Sequence, residues 1–280
     1  MTSVLRAAAP IALLTDFGQS DWYVAALKAV LLSQAPYAAL VDITHEVPPG
    51  DVARAAFVLG RVHESFPLGS VFVAVVDPGV GTARRPIAVA AGGRLYTGPD
   101  NGILACALDL VGAEAREISD AALFAGASPT FHGRDVFAPV AARLATGGAK
   151  AFAAVGPVID FPVRPLSPAP RAAAGDLATR VAHVDHFGNA ITQLDSRAFG
   201  VWLAGRDPAE IVFKAHGAGG TLVTVIPGLA RTYGDGQDPI ALIGSSGLIE
   251  LAVPGGHAAL QLGLAPGDVI EIHYGTETES

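Results

Sequence analysis

A single cysteine, Cys106, stands in 280 residues, which excludes an internal disulfide and any zinc site built from several thiolates. It sits in the apolar run Gly102-Ile103-Leu104-Ala105-Cys106-Ala107-Leu108 and reads as core. Basic residues are short as well: 18 Lys and Arg against 26 Asp and Glu leave a net charge of −8, which argues against nucleic acid or an anionic membrane as partner. No apolar run reaches the roughly 18 residues needed to span a bilayer. Residues 11–14, followed directly by Thr15 and Asp16, are too short for a signal-peptide core, so the expectation is a cytoplasmic protein. Familiar motifs are missing too. There is no phosphate-binding Gly-x-x-x-x-Gly-Lys loop, Gly79-Val80-Gly81 lacks the third glycine of a dinucleotide fingerprint, and no Gly-x-Ser-x-Gly elbow or internal repeat occurs.

What is present is a chain that is 51% hydrophobic and 16% charged, long enough to bury one large core or two ordinary ones. Its centre is Val71-Phe72-Val73-Ala74-Val75-Val76-Asp77-Pro78-Gly79-Val80-Gly81-Thr82-Ala83-Arg84-Arg85. Six apolar residues without polar alternation read as a strand buried on both faces, the mark of a parallel sheet between helices. A carboxylate at the strand end cannot be core filling. Unpaired burial costs several kcal/mol, so Asp77 requires a cation, several donors or a ligand. Two readings stay open: a rigid loop holding Asp77 and Arg84 where open α/β sheets bind ligands, or a turn with a surface ion pair.

The flanking chain alternates. Residues 11–15 and 39–44 read as strands. Ser20 is expected to cap a helix to about Ser33, with Asp21 in its first turn, and Asp51 to cap a helix carrying Val52, Ala55, Ala56, Leu59 and Val62. This order predicts right-handed crossovers in a parallel sheet. A hairpin is expected about Gly92-Gly93, and a helix from about Asp135 to Thr146 stopped by Gly147. Just upstream, Thr130-Phe131-His132-Gly133-Arg134-Asp135 places an imidazole, a guanidinium and a carboxylate within four positions.

The domain reading is an α/β domain over 1–160, a proline-rich linker over 161–175 and a second domain over 176–280. In the last, eight short strands are expected, at 180–184, 190–194, 211–214, 221–226, 240–243, 248–253, 258–262 and 269–273, making a small antiparallel barrel or sandwich. Two of its loops carry chemistry: Asp185-His186-Phe187-Gly188-Asn189, and Gly244-Ser245-Ser246-Gly247, whose hydroxyls and amides suit a carboxylate. Asp42, His45, Asp77, His132 and Asp135 are of metal-ligating type. Arg84 and Arg134 would repel a cation and no two histidines are spaced His-x-x-x-His, so no metal is expected.

Taken together, Thr15-Asp16-Phe17-Gly18, Asp42-Ile43-Thr44-His45, Val76-Asp77-Pro78-Gly79-Val80-Gly81-Thr82 with Arg84-Arg85, Pro99-Asp100-Asn101-Gly102, Thr130–Asp135 and Asp185–Asn189 resemble, in order, the S-adenosylmethionine (SAM) hydroxide adenosyltransferase family. The resemblance covers about residues 10 to 275. It implies an amino-terminal α/β domain with a mainly parallel sheet, a smaller carboxyl-terminal antiparallel β-barrel domain, and a homotrimer with the substrate at the subunit interface. The reaction it implies is attack of water or hydroxide on the ribose C5′, releasing methionine and adenosine without a cofactor. Asp77, Arg84 and His132 match the family's water-activating set, with His132 either orienting the water or taking its proton. Asp16 matches the ribose carboxylate, Asp21 and Asp185 match acidic residues near the methionine ammonium, and Asn189 matches the adenine-reading amide. Phe187 and Tyr233 are candidate ring stackers, and Ser245 and Ser246 match the positions that grip the methionine carboxylate. Asp42, His45 and Asp100 read as loop braces. The halogenating relatives carry Tyr and Thr where this chain has Asp77 and Val80, and Ser at Gly133, which favours hydroxide over halide; their Arg at the position of Ser246 is a departure that bears on amino-acid recognition. Two alternatives are carried: a halide-type adenosyl transferase of the same superfamily, and a non-catalytic protein that binds or senses an adenosyl ligand.

Overall fold

In the computed structural model, residues 8–160, 162–163, 171–173, 176–235 and 238–275 are described. Their contacts divide the chain into two compact units, Met1–Leu166 and Ser167–Ser280.

Unit 1 is a layered α/β structure. Its strands are β1 (Ile11–Thr15), β2 (Leu40–Thr44), β3 (Val71–Val75), β4 (Pro86–Ala91), β5 (Arg94–Pro99) and β6 (Glu114–Glu117). They form one mixed sheet in the order β2-β1-β3-β5-β4-β6. β2, β1, β3 and β5 run parallel, while β4 and β6 add antiparallel partners at one edge. β1 and β3 pair from Ile11↔Val71 to Thr15↔Val75 and every residue of both is buried.

The period of two sorts these apolar runs between two cores. Leu13, Val71, Val73 and Val75 pack with Leu27 and Leu31 of helix α1 (Tyr23–Gln34) and with Val140 and Leu144 of the long helix Ala138–Ala153. Leu14, Phe72, Ala74 and Val76 pack with Ala55 and Leu59 of α2 (Val52–Val62) and Ala107 of α3 (Ala105–Leu108). Each such buried side chain contributes about 1.5–3 kcal/mol relative to exposure, so both faces of the central strands are committed to core. Asp51 caps α2 as expected, accepting from Arg54 N at 2.9 Å. Gly92 and Gly93, at φ 54° and 72°, turn the β4–β5 hairpin as the two-residue loop requires. Cys106 is half-buried against the second core, and burial pushes its thiol up to about 12.

Three helix boundaries differ from expectation. Ser20 caps nothing: α1 begins at Tyr23 with Trp22 at the cap and no acidic residue in the first turn. Gly18, at φ 67°, gives its N–H to His45 O at 2.8 Å, so the intervening residues are used in turning. Asp135 does not start a helix either. Its N–H already bonds Phe131 O, and it lies within a π-helical turn, Gly133–Phe137, that feeds the helix over Ala138–Ala153. That helix passes Gly147 and breaks at Gly148, where φ is 54°.

Between these, a short helix, α4 (Ala121–Ala125), is capped by Asp120, and the long helix is α5. Most of the proline-rich stretch 161–175 lies outside the described residues. Arg171–Ala173 within it forms strand β7.

Unit 2 is an antiparallel sheet of eight strands, β7 with β8 (Asp176–Val184), β9 (Ala190–Asp195), β10 (Ile211–His216), β11 (Leu222–Pro227), β12 (Ile240–Ile243), β13 (Leu248–Ala252) and β14 (Val269–Tyr274). The order is β11-β10-β14-β8-β9-β13-β12, with β7 on β8. A bridge between Ala230 and Leu242 brings the chain after β11 back to β12, so the sheet is nearly closed. Seven of the eight expected strands are strands. The eighth, Ala258–Leu262, is instead a helix, capped by His257 at one end and by left-handed Gly263 at the other. Five mainly apolar residues fit either period, and the caps decide. Ser196–Leu203 is a further helix that strand spacing did not anticipate, capped by Asp195.

Candidate active site

β3 delivers Val76 and then Asp77 to its carboxyl end. The chain turns at once: Val80 N bonds Asp77 O, and Thr82 Oγ1 donates to Gly79 O at 2.7 Å. Gly81 is at φ 77°, and a Cβ there would lie 2.8 Å from Pro129 O. Glycine thus lets this loop seat on the backbone just before His132. Arg84 folds back over the turn, its Nε 2.9 and 3.0 Å from the two Asp77 oxygens and its Nη2 also on Oδ2. The same Nη2 lies 2.8 Å from His132 Nδ1. The pair is buried, Asp77 at 7% and Arg84 at 10% side-chain exposure, with the guanidinium 5.3 Å from the Phe137 ring centroid.

The bonding assigns the imidazole. Arginine has donors only, so Nδ1 accepts and the ring hydrogen of neutral His132 sits on Nε2. Burial, and then the Arg84 charge, hold His132 below the ordinary histidine range against the opposing pull of Asp77 and Asp135. Of the two readings left open by sequence, the surface ion pair is excluded: the pair is buried, and Asp77 lines a cavity of about 340 Å³ to which Asp16, His132, Phe17, Phe131 and Gly133 also contribute, with Arg84 behind it.

Asp16 enters that cavity from the end of β1. Its Oδ2 accepts Gly50 N at 2.9 Å, and burial holds its carboxyl above the usual range, with the Asp77 charge acting the same way. The loop is braced from behind. Thr15 Oγ1 accepts Phe17 N and lies 2.7 Å from His45 Nδ1; His45 Nε2 lies 3.1 Å from Asp42 Oδ1; Asp42 Oδ2 takes Lys28 Nζ at 2.6 Å. Gly133 completes the wall. A Cβ there would lie 2.9 Å from Phe17 Cζ, so its absence allows the ring to rest on the loop. Phe17 and Phe131 meet edge to face at 5.7 Å. Asp21 is exposed and does not line this cavity.

Within unit 2, Asp185, Tyr233 and Glu250 lie close enough for their charges to act on one another. Asp185 Oδ1 accepts the amides of Phe187 and Asn189 at 2.9 and 2.8 Å, and its Oδ2 accepts Asn189 Nδ2 at 3.0 Å. This leaves Phe187 exposed on the tip of a closed turn and Asn189 buried. Gly188, at φ 87°, sits against His257, whose ring a Cβ would overlap. Tyr233 donates through its hydroxyl to Glu250 Oε1. Ser245 is exposed, whereas Ser246 Oγ is buried without a hydrogen-bond partner among the described residues. Sequence reasoning missed Glu250, only 3% exposed and held above the usual carboxylate range by burial, with Asp185 adding to the shift. The signal was available: Leu248-Ile249-Glu250-Leu251-Ala252 has one charge in an apolar run. Phe17, Gly50 and Phe131 were also not singled out as cavity residues.

Comparison with known proteins bears on both units. Residues 11–156 match the SAM hydroxide adenosyltransferase N-terminal domain and residues 179–271 the corresponding C-terminal domain. The chain is 43% identical to an (R)-S-adenosyl-L-methionine hydrolase of Salinispora arenicola, over 95% of this chain and 98% of that one. It is also 43% identical to the protein of that name from Thermus thermophilus, over 92% and 97%. Proteins named fluorinase match at 29% to 30% identity. Among solved structures, an uncharacterized conserved protein from Thermotoga maritima superposes with a TM-score of 0.83 at 36% identity, covering 94% of this chain and 99% of that one.

Proposed function

From a chain that belongs to the SAM hydroxide adenosyltransferase family, we propose that the enzyme hydrolyses S-adenosyl-L-methionine to adenosine and L-methionine, with Asp77, Arg84 and His132 managing the attacking water. The observation that carries the residue roles is that Asp77 and His132 line one cavity with Asp16 while Arg84 bonds to both of them. The leaving group is a neutral thioether departing from a sulfonium, so no acid is required at sulfur. The work lies in placing and activating a water behind C5′, and such positioning is worth several kcal/mol.

Hydrogen-bond accounting divides the roles. His132 Nδ1 is engaged by Arg84, which leaves Nε2–H as a donor that orients the water oxygen. Asp77 Oδ2 takes both Nε and Nη2 of Arg84 while Oδ1 takes Nε alone and retains a second lone pair, so Oδ1 accepts the water hydrogen. The oxygen then bonds C5′, the C5′–S bond breaks with its electron pair on sulfur, and the proton passes through Asp77 to solvent. Arg84 holds Asp77 in place and stabilises hydroxide character in the nucleophile. An anionic Asp77 at this position disfavours a halide in the same space. Asp16, at the end of the neighbouring strand β1, accepts the ribose hydroxyls. In unit 2, Asp185 and Asn189 with Phe187 and Tyr233 serve the methionine ammonium and adenine, and the unpartnered Ser246 Oγ, with Ser245, suits the methionine carboxylate.

Incubation with SAM in H₂¹⁸O tests the reading. It predicts adenosine labelled at the 5′ hydroxyl and unlabelled methionine, with activity surviving dialysis against a chelator. A halogenated nucleoside formed with added halide, or SAM recovered unchanged, overturns it. The same proposal includes closure of the unit 2 sheet as a β-barrel, assembly as a homotrimer, and a cytoplasmic location. Light scattering that returned a monomer would remove the assembly.

A further inference from the structure

Asp100 and Asn101 line no part of the cavity, yet each grips a residue adjacent to one member of the Asp77–Arg84 pair. Asn101 Nδ2 donates to Val76 O at 2.8 Å, and its Oδ1 accepts Ile103 N at 3.2 Å, so both ends of the amide are engaged. Val76 directly precedes Asp77. Asp100 Oδ2 accepts Arg85 Nε at 2.9 Å, its Oδ1 accepts Val163 N at 2.6 Å, and its own N–H donates to Arg85 O at 2.9 Å. Arg85 directly follows Arg84.

These are not the bonds of an ordinary turn. A turn needs side chains that reach two or three residues along; Asn101 and Asp100 reach back 25 and 15 positions. The Asp100 side chain is 2% exposed while that of Arg85 is 35% exposed, so the anion is deeply held and its partner is not. Gly98 makes the approach possible, because a Cβ on it would run into Ala74 O of β3. Between the two gripped points lies a loop with glycines at 79 and 81, whose freedom would otherwise let the ion pair wander.

We propose that Asp100 and Asn101 are positioning residues: from behind the sheet end they fix the backbone on either side of the 77–84 turn, and so set where the Asp77 carboxylate and Arg84 guanidinium face the cavity. This rests on the hydrolase reading and names two more residues on which its rate depends. Misplacement of a reacting group by about 1 Å costs on the order of 10²-fold in rate, whereas binding of the substrate does not pass through these side chains.

The test compares Asn101→Ala and the volume-conserving Asp100→Asn with the parent enzyme, per folded molecule. Expected is a kcat lowered about tenfold to a hundredfold with KM for SAM changed less than about threefold. A second readout does not depend on turnover. The ¹⁵N resonances of the His132 ring, which faces Arg84, Asp77 and Asp135, should lose the pattern of an Nδ1 acceptor, and their titration should move up toward the ordinary histidine range as Arg84 shifts. Unchanged kcat in both folded variants, proportional changes in kcat and KM, or unmoved His132 resonances would overturn the proposal. If the parent itself released no adenosine, the hydrolase reading would fall while the His132 resonances still decided whether these two residues position the pair. If Asn101→Ala did not fold, Asp100→Asn would carry both readouts.

Discussion

The Asp77–Arg84–His132 set of unit 1 and the Asp185–Asn189 and Tyr233–Glu250 pairs of unit 2 are built from the same materials, carboxylates and donors, and use them differently. In unit 1 Arg84 bridges Asp77 and His132, leaving His132 Nε2 and one lone pair of Asp77 Oδ1 on two residues that line a cavity. In unit 2 the Asp185 carboxylate accepts three bonds from its own turn, and Glu250 is covered by Tyr233. One carboxylate is tied to a guanidinium that also engages His132, the other to its own turn, and each keeps a lone pair for a ligand. Residue type does not separate them and neither does the count of accepted bonds, three for each carboxylate; the source of the donors does, Arg84 in one and the residue's own turn in the other.

The strongest way to break this contrast is Arg84→Ala. Removing one partner of a buried pair leaves Asp77 uncompensated, so stability should fall by about 3–5 kcal/mol and turnover by at least about 10²-fold, measured by urea unfolding and by adenosine release. Near-wild-type values in both would mean that the pair is an ornament of the turn. Next in size is Gly188→Ala in the unit 2 loop. At φ 87° and against His257, it should cost about 1–3 kcal/mol and show in the melting temperature.

A smaller effect separates brace from ligand. Asp185→Asn removes one of three acceptor contacts at a cost of about 1 kcal/mol and should raise KM for SAM; a lowered melting temperature with an unchanged KM would leave Asp185 a brace and remove its substrate role. The smallest effect is in pH. His132 is held low, so its contribution to stability is complete above the unfolded value of about 6.5 and is lost as pH falls through that value toward the folded one. Glu250 is held high, so its contribution is complete below the unfolded value of about 4.3 and is lost as pH rises through the folded one. Melting temperatures of His132→Gln and Glu250→Gln across acid pH should therefore diverge from the parent in opposite directions.

Much of unit 1 was legible because β1 and β3 are buried on both faces, and such strands must be apolar throughout. The cap at Asp51 and the turn at Gly92-Gly93 were legible for a similar reason: each requirement is met within a few residues. Where tertiary contacts intervened, local signals misled. Ser20 has the chemistry of a cap, but the bond from Gly18 to His45 O keeps the chain turning past it. Residues 258–262 could be strand or helix until His257 and Gly263 closed both ends. At the site, the Asp77–Arg84 spacing was readable as a pair. Its burial was not, and neither was the support from Asn101.

By itself the sequence determined the alternation of the first unit, the shortness of the strands in the second and the residue types available for chemistry, because steric and hydrophobic preferences act over two to four positions. Only the tertiary structure decided which charged groups face a cavity and which merely close a loop. Arg84 and His132 are 48 positions apart and meet because Gly81 allows one loop to rest on Pro129 of the other; a hydrogen bond of that kind is a property of packed backbones, and no short stretch of chain contains it.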